Sequence, residues 1–159
     1  MEEIKRCLSN LNSIFKECDE IYRVTAKKMG IPDCAFWILY ILRTDGSTLT
    51  QREICSALYE PKQTVNTALK KLVEDGYIEL LADNDRRSRQ LRLTEKGLGF
   101  AERTVDQVIL RELSALSALS AEERALFLRL FRKYIGLLDE NMRVLGDTRG
   151  NIVEGGGRP

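Results

Sequence analysis

Residues 61–76 read Pro-Lys-Gln-Thr-Val-Asn-Thr-Ala-Leu-Lys-Lys-Leu-Val-Glu-Asp-Gly, and residues 77–97 continue Tyr-Ile-Glu-Leu-Leu-Ala-Asp-Asn-Asp-Arg-Arg-Ser-Arg-Gln-Leu-Arg-Leu-Thr-Glu-Lys-Gly. In the first stretch Val65, Leu69, Leu72 and Val73 recur at helical spacing and mark one apolar face. The opposite face, Lys62, Gln63, Asn66, Thr67 and Lys70, carries no acid before Glu74. Gly76 ends the helix, because glycine accepts the left-handed backbone that a helix terminus needs. Two strand-like runs follow, 77–81 and 90–93, around a polar loop that holds Arg86, Arg87 and Arg89. A helix that offers amides and cations, followed by a hairpin with an arginine-rich tip, implies a winged helix shaped to hold DNA.

The sequence on either side supplies the rest of such a domain. Upstream, Thr50-Gln51-Arg52-Glu53 matches a capping box and opens a short helix to about Leu58. Tyr59-Glu60-Pro61 turns the chain into the helix described above, and proline is tolerated near a helix start. Two short helices joined by a tight turn, the second polar on one face, form a helix-turn-helix. The run from Cys34 to Arg43 is apolar on nearly every face, as the central helix of a domain is. Asp45-Gly46-Ser47 is a turn. Gly30-Ile31-Pro32-Asp33 interrupts the chain before that helix, with Asp33 the expected N-cap.

Farther out, the spacing predicts a long helix from Glu2 to about Met29. Its Ile4, Leu8, Leu11, Phe15, Cys18 and Tyr22 follow alternating steps of four and three, a heptad-like seam. A second stripe, Cys7, Leu11, Ile14, Cys18 and Ile21, widens that surface beyond what one neighbouring helix covers. Downstream, Thr94 caps an expected helix from Glu95 to Leu116, with Leu98, Ala101, Val105, Val108 and Ile109 facing inward. Ser120 to Glu123 is a second capping box. The last helix, from about Ala121 to Leu145, carries a seam of Leu128, Phe131, Ile135, Leu138, Met142 and Leu145. From Gly146 the chain is glycine-rich and poor in apolar residues, so we expect little order there. The expected fold is mainly α with a small β-hairpin wing. Residues 1–30 form an N-terminal dimerisation helix, 31–97 the winged helix-turn-helix core, 98–146 the C-terminal dimerisation helices and 147–159 a flexible tail.

Composition narrows the functional classes. At 43% hydrophobic residues the chain can fill a core. A net charge of +1 places any argument for nucleic acid on where the cations lie and not on their total. The four cysteines form no paired motif and there is no histidine, so no metal site and no cofactor are expected. The cysteine spacing resembles no disulfide framework and points to a reducing compartment. The first residues lack the basic and apolar regions of a signal peptide, and no apolar run approaches the ~20 residues that span a bilayer. We expect a cytoplasmic protein. An enzyme is a poor reading, since there is no histidine base, no glycine-rich phosphate loop and no convergent carboxylate pair. A winged helix used for protein–protein contacts is the third class, and the arginines of the wing argue against it.

With these residues in view, the sequence resembles the multiple-antibiotic-resistance-regulator (MarR) family of transcription factors. The most specific segment is Asp85-Arg86-Arg87-Ser88-Arg89-Gln90-Leu91-Arg92-Leu93-Thr94-Glu95-Lys96-Gly97. It matches the family's wing pattern, D-x-R followed shortly by an apolar residue, any residue and Leu-Thr-x-x-Gly. Thr64-Val65-Asn66 through Leu72, Gly76, Tyr77 and Ile78 resemble its recognition helix and following strand. The absence of arginine on that helix departs from many family members. The resemblance implies a homodimer joined by first and last helices, each protomer placing its recognition helix in a major groove and its wing against a minor groove. It implies a dimeric regulator, a repressor of a pseudo-palindromic double-stranded DNA operator, released by a small aromatic or phenolic effector.

On that reading Gln63, Asn66 and Thr67 meet base edges, since Asn and Gln bond bidentately to adenine. Thr64 and Ser88 belong to the same DNA-binding set. Lys62, Lys70, Lys71, Arg86 and Arg89 touch phosphates, which sets register without specifying sequence. Arg87 enters the minor groove, where narrow A·T-rich tracts concentrate negative potential, and Asp85 positions the wing. Ile4, Leu8, Leu11, Phe15, Leu128, Phe131, Ile135, Leu138 and Met142 form the dimer seams. The resemblance also implies an effector pocket, for which Tyr22, Phe36, Trp37 and Tyr40 are candidates; taken singly, each ring more readily serves as core. Cys7 falls roughly where the hydroperoxide-sensing branch of the family keeps its reactive thiol, so a thiol-based redox-sensing regulator of this fold is the alternative.

Overall fold

The structure is a computed structural model that describes residues 1–45, 48–81 and 90–147. Its centre is helix α2 (Asp33–Thr44), which buries Ala35, Phe36, Ile38, Leu39, Ile41 and Leu42. No one-sided contact could bury so many positions, so other elements pack around it. Ala26 comes from the end of α1 (Glu2–Lys28), Ile54 from α3 (Gln51–Leu58), and Val65, Leu69 and Leu72 from α4 (Lys62–Glu74). Ala101 of α5 (Glu95–Arg103), with Val105 and Val108 of α6 (Val105–Ser117), completes the helical part of this core. Ile78 and Leu91 join it from the sheet.

The sheet has three antiparallel strands, β1 (Leu49–Thr50), β2 (Ile78–Leu80) and β3 (Gln90–Leu93), in the order β1-β3-β2. β3 pairs on one side with Leu49 and Thr50 of β1 and on the other with Ile78 to Leu80 of β2. β2 and β3 are the two arms of the expected wing. β1 is an addition: two residues are too short for an alternating pattern to announce a strand. The wing tip, residues 82–89, lies outside the described residues. So do Gly46 and Ser47 of the expected turn and the glycine-rich tail 148–159.

Three local expectations are corrected. Asp33 is the first residue of α2, and the cap position is Pro32, at φ −60° and ψ 144°, with no side-chain capping bond. The proline itself fixes the extended entry, and Asp33 sits where the helix dipole favours an anion. The helix expected over 95–116 is two helices, α5 and α6, because Thr104 at φ −125° and ψ −93° leaves the helical region. The Thr104 hydroxyl donates to the carbonyl of Phe100 (2.7 Å), the kind of back-bond that bends helices. Leu98, expected inside, is 40% exposed, whereas Ala101, Val105 and Val108 are buried as expected.

Contacts divide the chain into two units, Met1–Leu110 and Arg111–Pro159, with the boundary inside α6. The first contains the core just described. In the second, the end of α6 turns into α7 (Ala121–Asp147). Ser120 N–H donates to Glu123 Oε2 (2.7 Å), and Glu123 N–H donates to Ser120 Oγ (3.1 Å), so the capping box forms. The Arg124 guanidinium donates to the carbonyls of Leu116 and Leu119 and ties the turn to the helix it follows. The described side chains of α7 include none that is buried, and Phe127 stacks on Phe131 with centroids 5.8 Å apart. No helix among the described residues is long and apolar enough to cross a membrane.

Candidate nucleic-acid interface

The helix-turn-helix consists of α3, a turn and α4. Thr50 opens α3 with a complete capping box: Glu53 N–H donates to Thr50 Oγ1 (3.2 Å), and Thr50 N–H donates to Glu53 Oε2 (2.6 Å). That bond, then the one from the Thr50 hydroxyl, holds the Glu53 carboxyl below its ordinary range. α3 ends at Tyr59, which adopts φ 53° and ψ 22°, a left-handed conformation unusual for a residue other than glycine. Pro61 then fixes the entry to α4 at φ −56°.

α4 sorts its faces as the spacing implied. Val65, Leu69 and Leu72 are buried, Val73 is half-buried, and Lys62, Gln63, Thr64, Asn66, Thr67, Lys70 and Lys71 are exposed. Its first turn contains no acid. The helix N-terminus therefore combines exposed amide and hydroxyl groups with a cation and a favourable dipole for an anion. Thr67 Oγ1 donates to the Gln63 carbonyl (3.0 Å), which leaves the hydroxyl oxygen free to accept. Toward the other end the cations are answered within the helix. Lys71 Nζ lies 2.9 Å from Asp75 Oδ1, a hydrogen bond that raises the lysine's pKa, and Lys70 Nζ lies 3.7 Å from Glu74. Such exposed pairs are weak enough to exchange for phosphate.

What holds α4 to the sheet is a junction that explains the Leu-Thr-x-x-Gly pattern. Gly76, at φ +73°, turns the chain out of α4. The Thr94 hydroxyl donates to the Gly76 carbonyl (2.7 Å) and accepts from the Gly97 amide (3.0 Å), so one side chain joins the end of α4 to the start of α5. Gly97 packs against the Tyr77 backbone so closely that a Cβ there would lie 1.9 Å from the Tyr77 carbonyl oxygen. Lys96 Nζ donates to the Asp75 carbonyl (2.6 Å) and sits 4.8 Å from the Tyr77 ring centroid, while Tyr77 stacks on Phe100. Sequence reasoning missed Lys96, because nothing local to it points to a carbonyl twenty-one residues back. It also passed over Tyr59, whose backbone no composition rule reveals.

Asp85, Arg86, Arg87, Ser88 and Arg89 lie outside the described residues. At the base of the wing, Arg92 of β3 donates to Glu79 of β2 (2.6 Å) across the strand pair. Behind it, a cleft of about 590 Å³ runs between the end of α2, the sheet and the start of α5, with Arg43, Glu79, Arg92, Thr94 and Glu95 on its wall. Arg43 is engaged by both oxygens of Asp106 of α6 (2.7 and 2.6 Å), an ion pair that raises the arginine's pKa.

Of the seam residues on α1, Ile4 and Leu8 are exposed, while Leu11 and Phe15 are half-buried. On α7, Leu128, Phe131, Ile135 and Met142 are exposed and Leu138 is half-buried. The four candidate pocket rings are packed on one another. Phe36 is fully buried, Tyr22 lies 4.9 Å from Trp37, and Trp37 lies 5.4 Å from Tyr40. The cleft above and a smaller one of about 310 Å³ beside Arg23, Lys27 and Pro32 are lined by other residues. Cys7 and Cys18 are exposed, and Cys34 and Cys55 are half-buried. Burial pushes the Cys34 thiol pKa up, which lowers its thiolate fraction. No group of three or more potential metal ligands occurs among the described residues.

The sequence model of the MarR family matches residues 29–88, which run from the end of α1 into the wing. The uncharacterized HTH-type transcriptional regulator YwoH of Bacillus subtilis is 28% identical over 129 residues, covering 77% of this chain and 93% of that protein. Among solved structures, NMB1585, a MarR family regulator from Neisseria meningitidis, superposes with a TM-score of 0.67 at 26% identity. That match covers 87% of this chain and 98% of the other. A MarR mutant from E. coli complexed with operator DNA has the same fold, with a TM-score of 0.60 at 24% identity over 83% of this chain and 95% of that one.

Proposed function

We propose that this chain, which belongs to the MarR family of winged-helix, DNA-binding transcriptional regulators, acts as a homodimeric repressor that a small effector releases from its operator. The observation that carries the reading is the outward face of α4. Amides, hydroxyls and lysines are exposed there on a helix without an acid in its first turn, directly after a helix-turn-helix turn. Gln63, Asn66 and Thr67, near the N-terminal end, are the base readers, because that end of a recognition helix faces base edges. Lys62 holds a phosphate, and Lys70 and Lys71 reach phosphates by exchanging Glu74 and Asp75.

Dimerisation is supported by the apolar residues that α1 and α7 each leave in solvent, Ile4 and Leu8 on one, Leu128 and Met142 on the other. Apolar side chains left in solvent along both long helices suit an interaction face. A two-fold dimer reads two half-sites about one helical turn apart, and it represses by covering the site. An effector that binds one spacing of the two recognition helices better than another shifts the dimer away from DNA. Tyr22, Phe36, Trp37 and Tyr40 are the candidate rings for the effector, and the Arg86, Arg87 and Arg89 loop, with Asp85 as its positioning residue, supplies the wing contact.

The test is selection of bound sequences from a random duplex pool, followed by filter-binding titrations of the selected duplex across salt. The expected result is a pseudo-palindromic consensus and an affinity that falls steeply with salt, as release of counterions from several phosphates requires. Leu8→Glu, which places a charge in the seam, is expected to lose binding to the two-half-site duplex. Flat, negligible binding to every duplex would favour a protein-interaction role instead.

A further inference from the structure

Tyr59 holds the left-handed conformation with which α3 ends, a position that ordinarily takes glycine. Its φ of 53° is the one positive φ found at a residue other than glycine among the described residues, and it forms the turn between α3 and α4. A side chain with a Cβ in this region costs roughly 1 kcal/mol that glycine would not. No side-chain contact among the described residues offsets that cost: the residue is 95% exposed, and its ring and hydroxyl have no partner there. A large, half-polar ring is held out in solvent three positions before Lys62, at the point where the first helix of the motif hands over to the second.

We propose that Tyr59 is a phosphate-contacting residue whose hydroxyl donates a hydrogen bond to the DNA backbone at the edge of the groove that α4 enters. In a helix-turn-helix the first helix crosses the backbone and the second presents its N-terminus to base edges. The turn between them therefore faces the sugar-phosphate strand that borders the groove. Tyrosine is among the side chains that make such contacts, and it does so with few rotatable bonds to immobilise. The capping box at Thr50, the left-handed turn and Pro61 hold the Tyr59 backbone from both sides, so the direction in which the side chain leaves the turn is set before DNA arrives. The contact is neutral; it sets the register and depth of α4 and leaves base choice to Gln63, Asn66 and Thr67. The inference rests on the DNA-binding reading above.

The experiment compares wild type, Tyr59→Phe, Tyr59→Gly and Lys62→Ala by thermal denaturation and by titration of the selected duplex across salt. Tyr59→Phe is expected to melt with wild type and to bind roughly three- to tenfold more weakly, the value of one hydrogen bond. Its salt slope stays that of wild type, because a neutral donor displaces no counterion, whereas Lys62→Ala binds more weakly with a shallower slope. Tyr59→Gly is expected to lose as much affinity while melting no lower than wild type, since glycine relieves the left-handed conformation. Affinities within about twofold of wild type for both Tyr59 variants, less than one hydrogen bond contributes, overturn the proposal. A Tyr59→Gly protein that melts well below wild type also overturns it, by showing that the ring supports the fold. If wild type and Lys62→Ala alike bind no duplex, the DNA-binding reading falls and this proposal with it.

Discussion

Gly97 shows how one residue secures the placement of α4. Its α-carbon lies against the Tyr77 backbone, and a methyl group would meet a carbonyl oxygen at 1.9 Å. Backbone on one side and the Thr94 cap on the other leave no flexible neighbour to move aside. Gly97→Ala is therefore expected to destabilise the protein by about 1–3 kcal/mol, as overpacking does. A urea melt measures this, and DNA affinity falls as the end of α4 shifts. The pattern Leu-Thr-x-x-Gly was legible as a motif, but its reason was not. The reason lies in an approach between residues 77 and 97 that only the folded chain brings about. By contrast Gly76 was readable in place, since a helix that ends in front of a strand needs a left-handed residue there.

At the scale of elements, chemistry that is local was readable and chemistry that is not was missed. The box between Thr50 and Glu53 involves four consecutive residues, and it formed where the sequence placed it. It also carries a pH dependence. Hydrogen bonds from Thr50 depress the folded pKa of Glu53, so the stability it contributes is present above the ordinary carboxylate range and is lost as pH falls through the depressed value. Wild type is expected to exceed Glu53→Gln in urea midpoint at neutral pH, and the gap is expected to narrow as the solution is acidified. The break at Thr104 was invisible because threonine is permitted inside helices and the apolar spacing runs on from Ala101 through Val105 and Val108. The strand β1 was invisible for want of length. Asp33 was misplaced as a cap because proline in front of it supplied an extended residue just as well.

On the scale of the whole molecule, the readable features were those that repeat: the helical spacing of α1 and α7, which continues for many turns, and the all-round apolar character of α2. α6 belongs to both units, since the boundary at Leu110 falls inside it. One feature of the sheet bears on how the first unit comes together. β3 lies between its partners, and Leu49 of β1 pairs with Leu91 of β3. All of α3, α4 and β2 lie inside the loop that this pair closes. Drawing those ends together costs chain entropy before any contact rewards it, whereas α3, α4 and the β2–β3 arms are more local. The β1–β3 register therefore acts as a clasp fastened last, after α3 and α4 have already condensed on α2. Pulse-labelled amide exchange during refolding is expected to protect α2 and α4 first and the β1–β3 pair afterwards. Simultaneous protection would mean that the loop closes as part of the nucleus.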